Sequence, residues 1–321
     1  VIPDEVRIAR AVLDSHLDRV GSDLVERTGD AAEDAQRLRT LDSVVLCHDG
    51  GADPVFVYAN EAAARQWGTT VERLIGMPSR LTAGPDQQAD RTAALARAMA
   101  TGVVLDYSGE RRGLDGSRFL IEEAVLWRVD ALPGQAAAFS RTAPASSERL
   151  AYRSWRTTDA AWVLDAYARP EVYRFLGAQP RPVADIDEAQ QRIAAWRDRA
   201  VGPFGVWAIL VDGGPVGSVL LQPLPRTDGA PTDAVEIGWH LHPDAWGNGY
   251  ATEAARAVIA RARSGGMSRV HAVTYPDNTR SRAVCRRLGM TETGLTCEWY
   301  GVEVVDHVLE IDPLPTSPAT A

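Results

Sequence analysis

Between Ala234 and Ser264 the chain changes its hydrophobic period within one short stretch. Ala234–Leu241 alternates apolar and polar residues as a half-buried strand does, whereas Ala251–Ser264 sets Ala251, Ala254, Ala255, Val258, Ile259 and Ala262 on one face at helical spacing. Between them runs His242-Pro-Asp-Ala-Trp-Gly-Asn-Gly-Tyr250, a turn with glycines at 247 and 249. A strand that feeds a helix through such a turn gathers free backbone N–H groups and the positive end of a helix dipole at one point. That arrangement suits a phosphate or pyrophosphate. Gly247 and Gly249 lack a Cβ, so an anion can approach the backbone closely. On spacing alone, an ordinary strand-to-helix turn explains the same residues equally well. Two other nucleotide readings fail on particular residues. A dinucleotide-binding turn would need a third glycine where Thr252 stands, and a P-loop needs a lysine, which this chain does not contain.

The missing lysine has further consequences. All 34 basic residues are arginine, a usage that fits a GC-rich bacterial genome. Schiff-base chemistry on a lysine is excluded, and with it pyridoxal phosphate enzymes and lysine aldolases. A formal charge of −9 argues against nucleic acid and against a polybasic membrane surface as partners. Cys47, Cys285 and Cys297 are too far apart for a CxxC motif, so no metal is expected, and their low odd count suits a reducing cytoplasm. No apolar run approaches the roughly 18 residues of a membrane span, and no signal peptide pattern is visible at the start.

A chain of 321 residues can form two domains. Residues 4–27 set Val6, Ala9, Val12, Leu13, Leu17 and Val20 on one helical stripe, and a second helical stretch covers 31–40. Strands follow at 43–47 and 54–58, then short helices at 60–67 and 71–75 and a longer one at 87–100. Three strands at 103–111, 118–129 and 135–141 close the half, the first two joined around Asp115-Gly116. This order is that of a PAS-like fold. The blocks His48–Asn60, Pro78–Thr82, Asp106–Gly109, Arg118–Trp127 and Gly134–Ser140 resemble the MEKHLA domain, a PAS-like module. The resemblance implies a sensing or regulatory unit without a defined chemistry, and leaves open a wall of the acceptor site or a homodimer contact. Arg141–Glu148 is small, polar and Pro-containing, which reads as a linker. The expected division is therefore 1–144, 145–312 and a disordered tail at 313–321.

The second half reads as strand 150–155, helices at 157–168, 170 onward and 185–199, and a hairpin 206–223 turning at Asp212-Gly213-Gly214. The strand, turn and helix described first come next, followed by strand 270–275, helix 279–288 and a last hairpin 291–311. The expected fold class is α+β: a PAS-like five-stranded antiparallel sheet with helices, then a mixed central sheet flanked by helices. Four stretches resemble the GNAT acetyltransferases, in particular the branch of ribosomal-protein N-terminal acetyltransferases. They are Glu148-Arg-Leu150, Glu236-Ile-Gly-Trp-His-Leu-His-Pro243, Trp246–Ala254 and Asn278–Met290.

That resemblance implies acetyl-CoA as co-substrate, with its pyrophosphate on the backbone amides of Trp246, Gly247, Asn248, Gly249, Tyr250 and Ala251. Its pantetheine arm would lie along Leu241 and reach Asn278, itself a fitting N-cap. The implied chemistry is direct attack of a primary amine, on a protein N-terminus or a small molecule, on the thioester. Glu236 is the expected base, against the alternative of a solvated strand carboxylate paired to an arginine. His240 and His242 share one side of the strand, and either could relay a proton. Ser281 would stabilise the departing thiolate. Where many members carry an acidic tyrosine, this chain has Cys285, an expected proton donor or else a small packed hydrophobe. Arg280, Arg282, Arg286 and Arg287 are candidates for the 3′-phosphate, against solvated helix arginines, and Trp155, Trp162, Tyr173, Phe175, Trp299 and Tyr300 for the acceptor wall, where aromatics are more often core. The open alternatives are a non-catalytic sensor that binds a CoA thioester, and an acyltransferase that uses a longer acyl-CoA.

Overall fold

The apolar stripe near the start becomes a buried helix face. In the computed structural model, which describes residues 3–84 and 87–312, Ala9, Val12 and Leu13 of Pro3–Val20 (α1) have no exposed surface. Ala31–Thr40 (α2) starts at Asp30, whose carboxylate accepts from the Ala32 and Glu33 N–H groups. The strands Val44–His48 (β1) and Phe56–Ala59 (β2) pair antiparallel. Asn60 follows β2 and caps Glu61–Gln66 (α3). It has no exposed surface. Its Oδ1 accepts from Val45 and Ala63 N–H, while its Nδ2 donates to the Leu41 and Ser43 carbonyls. One asparagine thus satisfies backbone groups that would otherwise be buried unpaired.

Val71–Leu74 (α4) and Gln88–Thr101 (α5) lead to Val103–Arg112 (β3), Arg118–Val129 (β4) and Gly134–Phe139 (β5). The sheet order is β2-β1-β5-β4-β3, all antiparallel. Alternation along β1 divides the core in two. Val44 and Leu46 pack with Phe56, Trp67, Phe119 and Phe139 on the side of α3–α5, while Val45 and Cys47 pack with Tyr58, Trp127 and the α1–α2 pair on the other. The segment read as a linker is partly a strand: Arg141–Pro144 (β6) pairs with β4. Its Pro and Ser neighbours signal a break, but Thr142 and Ala143 are buried.

The chain divides into two compact units, the second beginning at Ala143. In it, Ala151–Ser154 (β7) is followed by the helices Ala160–Tyr167 (α6), Pro170–Tyr173 (α7) and Ile186–Asp198 (α8). The strands Gly205–Val211 (β8), Gly214–Pro223 (β9) and Val235–Leu241 (β10) form an antiparallel meander. Tyr250–Ser264 (α9), Arg269–Thr274 (β11), Thr279–Arg287 (α10), Thr291–Thr296 (β12) and Val304–Glu310 (β13) complete the unit. The seven-stranded order is β12-β13-β11-β10-β9-β8-β7, and the β10–β11 contact is parallel. Trp155, Val163, Ile193 and Trp196 pack with Val206, Ala208 and Leu220 to form the core under α6 and α8. The mixed α+β architecture in two domains is the one expected. The 313–321 tail lies outside the described residues, and no helix among the described residues is long and apolar enough to cross a membrane.

Candidate active site

β10 and β11 touch at one registered pair, Glu236↔His271, and then part. On its other side β10 pairs regularly with β9 over its whole length, and the His242 N–H donates to the Val216 carbonyl at 3.0 Å. Antiparallel alternation from that bond turns the peptide groups of Trp239 and Leu241 away from β9, toward the opening. The Leu241 carbonyl there accepts from Trp246 Nε1 at 3.1 Å, so its N–H is the group left facing the gap. The gap is part of a cleft of about 930 Å³, lined by Ile237–Leu241, Ala272, Thr274, the turn after β10 and one face of α10. The segment from Glu171 to Leu176 also lines it, clasped by a Tyr275 Oη donation to the Gly177 carbonyl at 2.7 Å.

At the mouth of the cleft, Gly247 and Gly249 have φ of 82° and 80°, a conformation that costs glycine little and a β-branched residue much. Gly249 is the N-cap of α9 and has no side chain to satisfy the first N–H groups of the helix. Among the described residues, no backbone hydrogen bond of the turns and loops uses the N–H of Gly247, Asn248, Gly249, Tyr250 or Ala251. The Trp246 N–H differs from the expectation, because it closes a turn onto the Pro243 carbonyl at 3.1 Å. The Asn248 side chain braces the turn by donating to the Ala245 and Trp246 carbonyls.

Arginines surround this row of donors. Arg149 lies behind it: its Nη1 donates to the Asn248 carbonyl at 3.0 Å, its Nε meets Glu253 at 2.8 Å, and its guanidinium lies 5.1 Å from the Tyr250 ring centre. Although partial burial opposes ionisation of Glu253, hydrogen bonds from Arg149 and Ser147 hold its carboxyl below the usual range. Arg280 stacks 4.1 Å from the Trp246 ring centre, and Arg287 Nε reaches Thr252 Oγ1 at 3.3 Å. Both line the cleft. Arg282 instead bonds Glu292 at 2.9 Å, and Arg286 is not among the lining residues. Sequence reasoning assigned no role to Arg149, because its carboxylate partner stands 104 positions away.

Asn278 Oδ1 accepts from the Ser281 N–H at 3.2 Å, capping α10, and both residues line the cleft. Cys285 does not line it. Its side chain has no exposed surface, and burial pushes the thiol up to about 12, so the residue packs as the small hydrophobe of the two readings, out of reach of a group in the cleft. The expectation for Cys285 is corrected accordingly: Cys285→Ala should leave turnover within about twofold of the parent in a steady-state assay. The same variant should lose about 1 kcal/mol of stability for the small cavity it opens.

His240 lines the cleft, and its Nδ1 lies 3.1 Å from Tyr167 Oη, which in turn lies 2.7 Å from Ser218 Oγ. Burial, with the charge of Arg192, pulls its imidazole down to about 4, so it is neutral at pH 7. His242 is held otherwise, accepting from the Asp244 N–H and contacting Asp165 at 3.1 Å. Glu236 is buried where β10 and β11 part and does not itself line the cleft. Its Oε2 accepts from Gln222 Nε2 at 3.0 Å and from the Tyr300 hydroxyl. Burial raises its pKa, and the two hydrogen bonds offset that in part, while nearby Asp306, bonded to His271 at 3.1 Å, raises it further. A carboxyl whose folded pKa is raised stabilises fully below the ordinary value of about 4.3, and that contribution is lost as pH rises through the folded value. Glu236→Gln should therefore flatten the fall in melting temperature between weakly acidic and neutral pH.

Of the expected acceptor aromatics, Trp155 has no exposed surface and Trp299 very little. Trp162 packs against the Trp155 core, and Tyr300 is committed to Glu236, while Phe175 lines the cleft. Among the described residues, no group of three or more His, Cys, Asp or Glu side chains is placed to hold a metal ion.

Both halves of the chain are similar to known domains. Residues 6–143 match the MEKHLA domain, and residues 149–291 match the acetyltransferase (GNAT) domain. A similar protein is the FsC-acetyl coenzyme A-N(2)-transacetylase of Aspergillus fumigatus, 36% identical over 129 residues, which are 38% of this chain and 54% of that one. The chain thus spans about half the length of that relative. The uncharacterized N-acetyltransferase p20 of Bacillus licheniformis is 26% identical over 153 residues, 46% of this chain and 83% of that one. Similar solved structures include Mycobacterium smegmatis RimJ in complex with CoA-disulfide, at 21% identity and a TM-score of 0.43, covering 52% of this chain and 84% of that one. A GNAT-family acetyltransferase from Bacillus anthracis aligns at 20% identity and a TM-score of 0.42, covering 51% of this chain and 96% of that one. The chain therefore carries a MEKHLA domain followed by a domain of the GNAT acetyltransferase family.

Proposed function

We propose that the chain is an acetyl-CoA-dependent N-acetyltransferase that passes the acetyl group to a primary amine, on a protein N-terminus or a small molecule, by direct attack. The observation that carries this reading is the row of unengaged N–H groups from Gly247 to Ala251, at the mouth of a cleft that continues between two parted strands. Such a row binds a doubly charged pyrophosphate through main-chain donors and a helix dipole, without a lysine. The name of the Aspergillus relative, an acetyl coenzyme A transacetylase acting at nitrogen, supports the same donor.

In this reading Arg149 stiffens the cradle and adds positive charge behind it, and Arg280 and Arg287 serve the 3′-phosphate. The pantetheine arm follows the free N–H of Leu241 and reaches Asn278. The bound thioester supplies the acyl carbon, and an inward main-chain N–H of β10 polarises its carbonyl. An ammonium is not nucleophilic, so the amine must lose a proton. Glu236 is its destination, reached through the Tyr300 hydroxyl or water because the carboxylate stands just below the cleft. Neutral His240 accepts a hydrogen bond from the amine, and Ser281 donates one to the departing sulfur.

The test is release of free thiol when the full chain is mixed with acetyl-CoA and a panel of amines and N-terminal peptides. Release that depends on one class of amine is the expected outcome. Tight acetyl-CoA binding with no release from any acceptor would favour a non-catalytic sensor, and faster release from succinyl- or malonyl-CoA would favour a longer acyl donor.

A further inference from the structure

In the first domain, the sheet and the helices α3 and α5 enclose a cavity of about 50 Å³. Most of its wall is apolar, with Phe56, Ile121, Leu126 and Phe139 contributing. Two arginines nevertheless reach it. Arg111 is 7% exposed. Its Nη2 donates to Tyr107 Oη at 2.9 Å and its Nη1 to the Glu110 carbonyl at 2.8 Å, with the guanidinium 5.3 Å from the Tyr107 ring centre. Arg91 is half-buried, and its Nη2 donates to Ser79 Oγ at 2.6 Å. Every one of these partners is neutral. Among the described residues, neither arginine pairs with a carboxylate. Burial, together with repulsion from Arg111, brings Arg91 down to about 10. Two cations facing one small apolar cavity without a counter-ion are costly, and a bound anion removes that cost.

Two more polar atoms at this cavity lack partners. His48 is 6% exposed, and its Nδ1 lies 2.6 Å from the Asp49 carbonyl. A carbonyl only accepts, so Nδ1 carries the hydrogen. Burial holds the ring below its ordinary pKa, so the neutral imidazole leaves a lone pair on Nε2, and that atom is buried without a hydrogen bond. The buried Trp67 Nε1–H is likewise without an acceptor. The unmet needs of the site are thus an anion for the arginines, an acceptor for the indole and a donor for His48. An amino acid would meet the donor need with an ammonium, adding a third cation beside two arginines. A hydroxyl meets it without charge. A single water needs about 10–15 Å³ of such space, so this cavity takes a molecule of only a few heavy atoms.

We propose that the cavity of the first domain binds a small hydroxycarboxylate, its carboxylate held by Arg91 and Arg111 and its hydroxyl donating to His48 Nε2. This site lies within the first domain and is tested independently of acetyl transfer. Calorimetric titration of the full chain with glycolate, lactate, propionate and inorganic phosphate is the experiment. Glycolate and lactate should bind, and propionate should bind roughly tenfold more weakly because it leaves His48 Nε2 unpaired. Arg111→Met should abolish binding. Arg91→Met, at a half-exposed position that risks the fold less, should weaken it at least about tenfold. His48→Leu should erase the preference for the hydroxy acids while retaining propionate. Circular dichroism confirms that each variant is folded. Equal affinity for lactate and propionate, a preference for phosphate, no binding of hydroxy acids at millimolar concentration, or unchanged binding in folded arginine variants would each overturn the proposal.

Discussion

Gly249→Val should abolish CoA binding while the chain stays folded, a loss of at least about 100-fold in Kd by calorimetric titration. Two effects combine. At φ 80° a β-branched residue is strained by about 1–3 kcal/mol, so the start of α9 shifts to relieve it. In the proposed binding mode the added side chain also crowds the approaching anion, and its Cβ lies 3.5 Å from Arg149. A shift that breaks two charge-assisted hydrogen bonds, each worth about 1.5–3 kcal/mol, exceeds the expected loss by itself. Gly266→Val supplies the control. Its φ is 77°, with no atom within 4 Å of an added Cβ, and it lies beyond the other end of α9. It carries the same strain and should leave CoA affinity unchanged.

Glu236→Gln should lower turnover by about 10²–10⁴ at neutral pH and leave the affinity for CoA untouched, because the residue lies apart from the cradle. The pH profile gives the sharper signature. Burial raises the pKa of Glu236, so the rising limb of kcat/KM, which reports the base in its ionised form, should lie above the ordinary carboxyl range. In the glutamine variant that limb should disappear and the residual rate should depend little on pH over the same range. Tyr300→Phe, which removes a hydrogen-bond donor from the carboxylate, should shift the limb further upward and lower kcat more than it alters KM. A Glu236→Gln variant with parental turnover would remove this carboxylate from the chemistry.

Main-chain features were the most legible in the sequence. The turn at 247–251 is built from two glycines and a helix start, which period and composition display directly, and most strands of both domains follow from the same signals. Features made by pairs distant in sequence were not. The Arg149–Glu253 bond and the cluster of Gln222, Tyr300, His271 and Asp306 around Glu236 join segments that only the folded sheet brings together. Cys285 illustrates a different limit. Ser281 and Val284 stand three apart on the cleft face of α10, and the next residue turns by about 100° into the core. Motif spacing located the residue without giving its orientation. The aromatics show a related limit: Trp155 and Trp299 fill cores, and residue type alone does not separate a packed ring from a substrate wall. At 141–144, polar and proline-containing text concealed a short strand whose ladder partner is β4.

A crystal structure of the full chain with acetyl-CoA would show whether the turn after β10 holds the donor's pyrophosphate. Pyrophosphate oxygens should lie within hydrogen-bonding distance of the N–H groups from Gly247 to Ala251, and the thioester between β10 and β11 beside Leu241 and Ser281. Acetyl-CoA bound elsewhere, or a cradle left empty while the acyl chain occupies another cleft, would contradict it.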